Sequence, residues 1–277
     1  MSPERIASFK RTGGQLVLVG AGKMGSALLE GWLSLGLPAQ QTIVLEPHPS
    51  PEVLALTKRG IVLNPPETSK ATALVLAIKP QVAAEVLPTL MPWVSADTLV
   101  LSIMAGRTLS FLQRMLPSAK ALVRAMPNTP ASIKRGVTVV APNDHVDGLQ
   151  RDLAHLLFAA IGQVEWIEDE ALMDAVTAVS GTGPAYLFLL AECLARAGVA
   201  LGLPADLSDR IARATISGAG ELLHQSTLPA ATLRENVTSP GGTTAAAMTV
   251  LMAPTGLGPL IENAVSQAAR RSRELAS

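Results

Sequence analysis

Six residues near the start of the chain, Gly20-Ala21-Gly22-Lys23-Met24-Gly25, have the types and spacing to hold a dinucleotide. They follow the apolar run LVLVG, which reads as a strand, and open the helix-patterned segment from Met24 to Leu35, which Gly36 and Pro38 close. Gly20 permits a tight turn, Gly22 lets the backbone approach a pyrophosphate, and Gly25 lets the helix pack close to the strand. A helix N-terminus around Lys23 and Met24 then offers amides to the phosphates. A bare GxGxxG is a weak signal, and an ordinary βα turn without a ligand is its alternative. Here Glu46 closes the second apolar run, 21 residues after Gly25, where an acidic side chain meets the adenosine ribose. The chemistry expected of such a site is hydride transfer with a nicotinamide cofactor.

Further candidate groups follow later apolar runs. Lys79-Pro80 ends ALVLAI at the carboxyl edge of a predicted strand, where ligands of doubly wound folds sit, although a solvated surface lysine reads equally well. Ser102-Ile103-Met104-Ala105-Gly106 and Arg124-Ala125-Met126-Pro127-Asn128-Thr129-Pro130 lie on the same edge. Two prolines bracket Asn128-Thr129 and stiffen a loop that either presents backbone groups to a nicotinamide or is simply a turn. Later in the chain, Thr238 and Ser239-Pro240-Gly241-Gly242-Thr243-Thr244 stand just before a helix. Hydroxyls and glycine-exposed amides at a helix N-terminus suit a carboxylate, and a plain N-cap is the simpler alternative. Ser180-Gly181-Thr182-Gly183-Pro184 is a second loop of this kind.

What is missing narrows the reaction. No lysine follows Lys134, and His224 is the one histidine of the C-terminal part, so a Lys or His acid from there is nearly excluded. Alcohol oxidation needs such a group, whereas an imine nitrogen can arrive already protonated. There is no GxSxG elbow. Cys193 stands alone, which excludes intrachain disulfides and multi-thiolate zinc, and the four histidines show no paired ligand spacing, so no metal is expected.

The elements that must position these groups divide the chain in two. Apolar runs at 16–20, 43–45, 73–78, 99–103 and 121–123 alternate with helical segments, the mark of a parallel sheet covered by helices, and runs at 137–140 and 164–167 extend it. The predicted fold class is therefore an α/β Rossmann-type dinucleotide-binding domain over residues 1–167, followed by an all-α domain over 168–277. Helices are expected at about 169–179, 184–201, 205–225, 230–237, 243–252 and 257–274. Between Ala171 and Leu201 the only charges are Asp174, Glu192 and Arg196, too few to give two helices a solvated face. A domain of about 110 residues can hardly enclose both, so a second copy of the chain is expected to cover them, in a homodimer or a higher oligomer of dimers.

Composition supports a small-molecule substrate. The chain has 277 residues, 48% of them apolar and only 16% charged, with 22 basic and 22 acidic side chains. Such a balance argues against nucleic acid and against an anionic membrane as partners. The stretch from Pro184 to Pro204 carries Glu192 and Arg196 at its centre and reads as a buried soluble helix, not a membrane span. The first fifteen residues have no apolar region of a secretory signal, so a cytoplasmic protein is expected.

Taken as a set, GAGKMG, AIKP, SIMAG, RAMPNTPA, SGTGPAY and VTSPGGTT, in that order, resemble the pyrroline-5-carboxylate reductase family over nearly the whole chain. Met248 and Met252 depart from its usual signature, on the helix beyond the last loop. The resemblance implies a helical C-terminal domain interlocked with a partner's and NAD(P)H-dependent reduction of 1-pyrroline-5-carboxylate to L-proline. It also implies that Ser239, Gly242 and Thr243 hold the substrate carboxylate while Thr244 bonds the ring nitrogen. A 3-hydroxyacid dehydrogenase of similar layout and a dinucleotide sensor without chemistry are the rival readings. As for the cofactor, Glu46 would repel a 2′-phosphate, and Pro47-His48-Pro49-Ser50-Pro51 contains no arginine to clamp one. NADH is therefore expected to serve at least as well as NADPH.

Overall fold

The computed structural model describes residues 14–66 and 69–276. The expectation about an N-terminal signal falls largely outside the described residues. Backbone contacts divide the chain into two compact units, Met1–Gly181 with Ala269–Ser277, and Thr182–Ala268.

The first unit is built on one eight-stranded sheet: β1 (Leu16–Val19), β2 (Thr42–Leu45), β3 (Val62–Leu63), β4 (Ala73–Leu76), β5 (Leu99–Ser102), β6 (Leu122–Met126), β7 (Gly136–Pro142) and β8 (Gly162–Trp166). Their spatial order is β3-β2-β1-β4-β5-β6-β7-β8. Only β6 and β7 pair antiparallel. The order reverses direction between β1 and β4, which opens a crevice at their carboxyl ends. Both faces are covered, as parallel sheets require. Leu16, Leu18, Val44, Val75 and Val123 pack on one face with Trp32 of α1 (Lys23–Ser34) and Phe158 of α5 (Gly148–Ala159). Val17, Val19, Leu74, Leu76 and Val100 pack on the other with Leu87 of α3 (Ala83–Thr89) and Leu112 of α4 (Leu109–Met115). A short α2 (Pro51–Leu56), capped by Ser50, lies between β2 and β3. Every apolar run expected to be a strand is one. β3 escapes the sequence because two residues carry no alternation.

The first unit ends later than residue 167. Glu170 Oε1 accepts from the buried Arg124 guanidinium at 3.0 Å and from Leu109 N at 2.9 Å, while Met173 is fully buried. These contacts tie α6 (Met173–Val176) and the π-helical turn Thr177–Gly181 to the sheet. The chain's last turns join them, with Ser272 Oγ and Asp174 Oδ1 2.6 Å apart.

The second unit contains α7 (Gly183–Ala200), α8 (Ala205–Gln225), α9 (Ala230–Asn236), α10 (Thr243–Leu251) and most of α11 (Leu257–Ala276). Helices α7 and α8 pack on one another, with Ser208 Oγ donating to Ala195 O at 2.7 Å. Helix α7 has no buried residue, so its reading as a buried helix is not met within one chain; Phe188 is 64% and Leu201 87% exposed. The segment Glu170–Ala200 is long and apolar enough to cross a membrane by length and composition alone.

At the β1–α1 turn the glycines have different physical reasons. Gly20 has φ +89°, and a Cβ on it would lie 2.8 Å from Ala77 O. A Cβ on Gly25 would lie 2.3 Å from Gly20 O, whereas one on Gly22 would meet nothing within 4 Å. Gly25→Ala is therefore expected to cost about 1–3 kcal/mol, and Gly22→Ala less than about 1 kcal/mol. Urea unfolding of the two variants measures the contrast, and equal losses would contradict it.

Candidate active site

The carboxyl ends of β1, β2, β4, β5 and β6 bring the expected dinucleotide residues of the first unit to one edge of the sheet. At the first of these, α1 starts from Gly22 with no side-chain hydrogen bond to cap it. The leading amides, those of Lys23 and Met24 among them, have no intrahelical acceptors and collect the positive end of the helix dipole. No protein atom accounts for the missing side chain at Gly22. The space it leaves, at an uncapped helix N-terminus beside a tight turn, fits a pyrophosphate.

Glu46 sits just past β2, and its carboxylate faces the glycine turn. Oε2 accepts from Ala21 N at 2.8 Å and Oε1 from His48 N at 3.0 Å. Each oxygen keeps a lone pair for a further donor. Sequence reasoning placed this side chain at the ribose position and missed that it also staples the turn. Ser26 Oγ completes the loop by donating to Ala21 O at 2.8 Å.

After β4, Lys79 is exposed and precedes a 3-10 turn that begins at Pro80. The Pro80 carbonyl accepts from Arg107 Nε at 3.1 Å and Nη2 at 2.9 Å, while the same guanidinium lies 4.8 Å from the centre of the Phe111 ring. Arg107 comes from the loop after β5, two residues beyond the exposed Ala105. It therefore fixes the two loops to each other. Nothing in the sequence singled it out.

Asn128 follows β6 and uses both ends of its amide within the protein. Oδ1 accepts from Val137 N at 3.0 Å, and Nδ2 donates to Ser180 O in the π-helical turn at 3.2 Å. A Cβ on Gly181 would lie 2.7 Å from Met126 Cε, so this loop and that turn are packed together. These bonds hold the loop in place, and each end of the Asn128 amide keeps capacity for one further partner.

In the second unit, the Ser239–Thr244 loop leads into α10. Gly241 has φ +69°, and Gly242 N donates to Ser239 O at 3.0 Å, closing a tight turn. A Cβ on Gly242 would lie 2.5 Å from Ser239 Oγ, so the hydroxyl sits directly over the glycine backbone. Gly242 is the N-cap of α10 and no side chain caps it. The hydroxyls of Ser239, Thr243 and Thr244 are thus not consumed in capping that helix. In the earlier loop Thr182 Oγ1 and Tyr186 OH are 2.6 Å apart.

One other place could hold a ligand. A surface cavity of about 470 Å³ is lined by Gly148, Arg151, Asp152, His155 and Trp166, on α5 and the outermost strand β8. Arg151 there already pairs with Glu168 and stacks on Trp166 at 4.4 Å. Among the described residues no group of three or more His, Cys, Asp or Glu side chains could hold a metal ion.

Residues 170–275 match the family described as pyrroline-5-carboxylate reductase dimerisation, and residues 15–106 match that described as NADP oxidoreductase coenzyme F420-dependent. The pyrroline-5-carboxylate reductase of Pseudomonas aeruginosa is 37% identical over 265 residues, covering 95% of this chain and 97% of its own. A solved pyrroline-5-carboxylate reductase from Coxiella burnetii superposes with a TM-score of 0.87 at 32% identity, covering 96% of this chain and 99% of its own. The pyrroline carboxylate reductase of Plasmodium falciparum, solved with NADP bound, gives a TM-score of 0.78 at 29% identity, covering 95% and 98%. With relatives matched from end to end at this identity, on a chain that carries both the glycine turn and the Ser239–Thr244 loop, the chain belongs to the pyrroline-5-carboxylate reductase family.

Proposed function

We propose that the chain reduces 1-pyrroline-5-carboxylate to L-proline with NAD(P)H, the last step of proline biosynthesis, as a soluble cytoplasmic enzyme. The observation that carries the reading is the Ser239–Thr244 loop. It presents three hydroxyls at an uncapped helix N-terminus, on a chain whose glycine turn has room for a pyrophosphate. Bound NAD(P)H supplies the hydride that reduces the C=N bond.

The protein's own groups bind and orient. Ser239, the Gly242 backbone and Thr243 hold the substrate carboxylate, aided by the positive end of α10. Thr244, at the second position of that helix, bonds the ring nitrogen. A threonine hydroxyl is too weak an acid to protonate the product amine, so the nitrogen enters protonated and Thr244 orients it. On the other unit, Gly20, Gly22, Lys23, Met24 and Gly25 hold the pyrophosphate, Glu46 the adenosine ribose, and Lys79, Pro80, Ala105 and the Asn128 backbone the nicotinamide half. The exposed apolar residues of α7, with Leu222, Leu223 and Met252, support a homodimer through the second unit, alone or within a ring of dimers.

Three outcomes are expected. Thr244→Ala keeps the fold and the cofactor Kd while kcat falls about 10²–10³-fold, the scale for deleting a preorganised polar partner of the reacting group; unchanged steady-state rates would remove Thr244 from the mechanism. Light scattering at micromolar concentration gives a mass at least twice the 28.8 kDa of one chain, and a monomer mass contradicts the assembly. Wild-type kcat/KM for NADH at least equals that for NADPH, and Glu46→Ser moves the ratio toward NADPH. A tenfold wild-type preference for NADPH that the substitution leaves alone would show that Glu46 does not read the ribose.

A further inference from the structure

Asn64 follows the two-residue strand β3, and its side chain does the work of a missing strand residue. Backbone pairing between β2 and β3 covers Ile43 with Val62 and Val44 with Leu63, and Asn64 N extends it by donating to Val44 O at 2.9 Å. Pro66 then ends the ladder, because the next N–H to reach β2, at Glu46 O, would come from residue 66 and proline has none. The Asn64 amide takes over at that point. Its Oδ1 accepts from Glu46 N at 2.9 Å, and its Nδ2 donates to Glu46 O at 2.8 Å. One side chain therefore holds both polar groups of the Glu46 backbone.

The conformation that allows this is uncommon. Asn64 has φ 45°, in the left-handed region, and Lys134 is the only other non-glycine residue with positive φ among the described residues. Asparagine tolerates that region better than most side chains, yet an outlier outside any tight two-residue turn calls for a reason. The reason visible here is Glu46. Its backbone is clamped by Asn64 and its carboxylate by Ala21 N and His48 N, so the residue is fixed at both ends.

We propose that Asn64 is a specificity-determining positioning residue, which enforces discrimination between NADH and NADPH by preventing Glu46 from turning away. The inference rests on the reading of Glu46 as the ribose contact. A carboxylate fixed in direction receives two vicinal hydroxyls with little loss of freedom. Against a 2′-phosphate it presents a charge that cannot withdraw, whereas a free Glu46 could swing into solvent and let the phosphate in. Asn64 touches neither cofactor in this account; it acts through Glu46.

The test is a double-mutant cycle on cofactor affinity, with Kd for NADH and for NADPH measured by fluorescence titration without substrate. The variants are Asn64→Gly, Glu46→Ser and the pair; glycine takes φ 45° without strain, so only the amide is lost. Asn64→Gly is expected to weaken NADH about three- to tenfold, the range for lost hydrogen bonds of ordinary strength. NADPH affinity should stay level or rise. In the Glu46→Ser background the same substitution should leave the NADH-to-NADPH ratio unchanged. If Glu46→Ser alone leaves that ratio alone, the ribose reading falls, and this inference with it. If Glu46→Ser collapses the ratio but Asn64→Gly weakens both cofactors equally, or still shifts the ratio when Glu46 is absent, the ribose reading stands and the inference is overturned. Thermal unfolding of each variant confirms that the comparison is between folded proteins.

Discussion

The backbone contact between Gly25 and Gly20 is the constraint on which the first unit depends. With a Cβ at Gly25 only 2.3 Å from Gly20 O, helix α1 starts as close to β1 as two main chains allow. That closeness aims the helix N-terminus across the crevice between β1 and β4, where the strand order turns. Around it the carboxyl-end loops are held mostly by side chains that bond to main chain. Glu46 holds Ala21, Arg107 holds Pro80, and Asn128 holds Val137 and Ser180. Bonds of this kind fix backbone groups in place, which suits a site whose ligand is read largely by amides and carbonyls.

The fold was legible because its signals are local. Runs such as LVLV and ALVL are apolar throughout, as strands covered on both faces must be, and the glycines and prolines between helices stand where the second unit turns. What escaped was long-range. The end of the first unit is set by Arg124 bonding Glu170, 46 positions away, and no periodicity announces such a pair. β3 was missed because two residues make no pattern, and Asn64 with it.

At the candidate site the residue types were readable and the partners were not. Gly20 and Gly25 are demanded by neighbouring backbone, while Gly22 is demanded by no protein atom, a distinction that three identical letters cannot carry. The Ser239–Thr244 stretch reads more simply as a cap than as a binding loop, and only the structure shows that α10 starts from Gly242 without a side-chain cap. Likewise the scarcity of charge between Ala171 and Leu201 predicted a covered surface, and α7 has no buried residue in the single chain. Residues 170–275, which include α7, match a family described as pyrroline-5-carboxylate reductase dimerisation.

The central claim concerns where one hydride goes. Incubating the protein with 1-pyrroline-5-carboxylate and a reduced nicotinamide cofactor deuterated at C4, on the transferred face, should give L-proline carrying a single deuterium at C5. Mass spectrometry and NMR of the product read this directly. Cofactor left unoxidised, or proline formed without the label from either C4 face, would contradict the account.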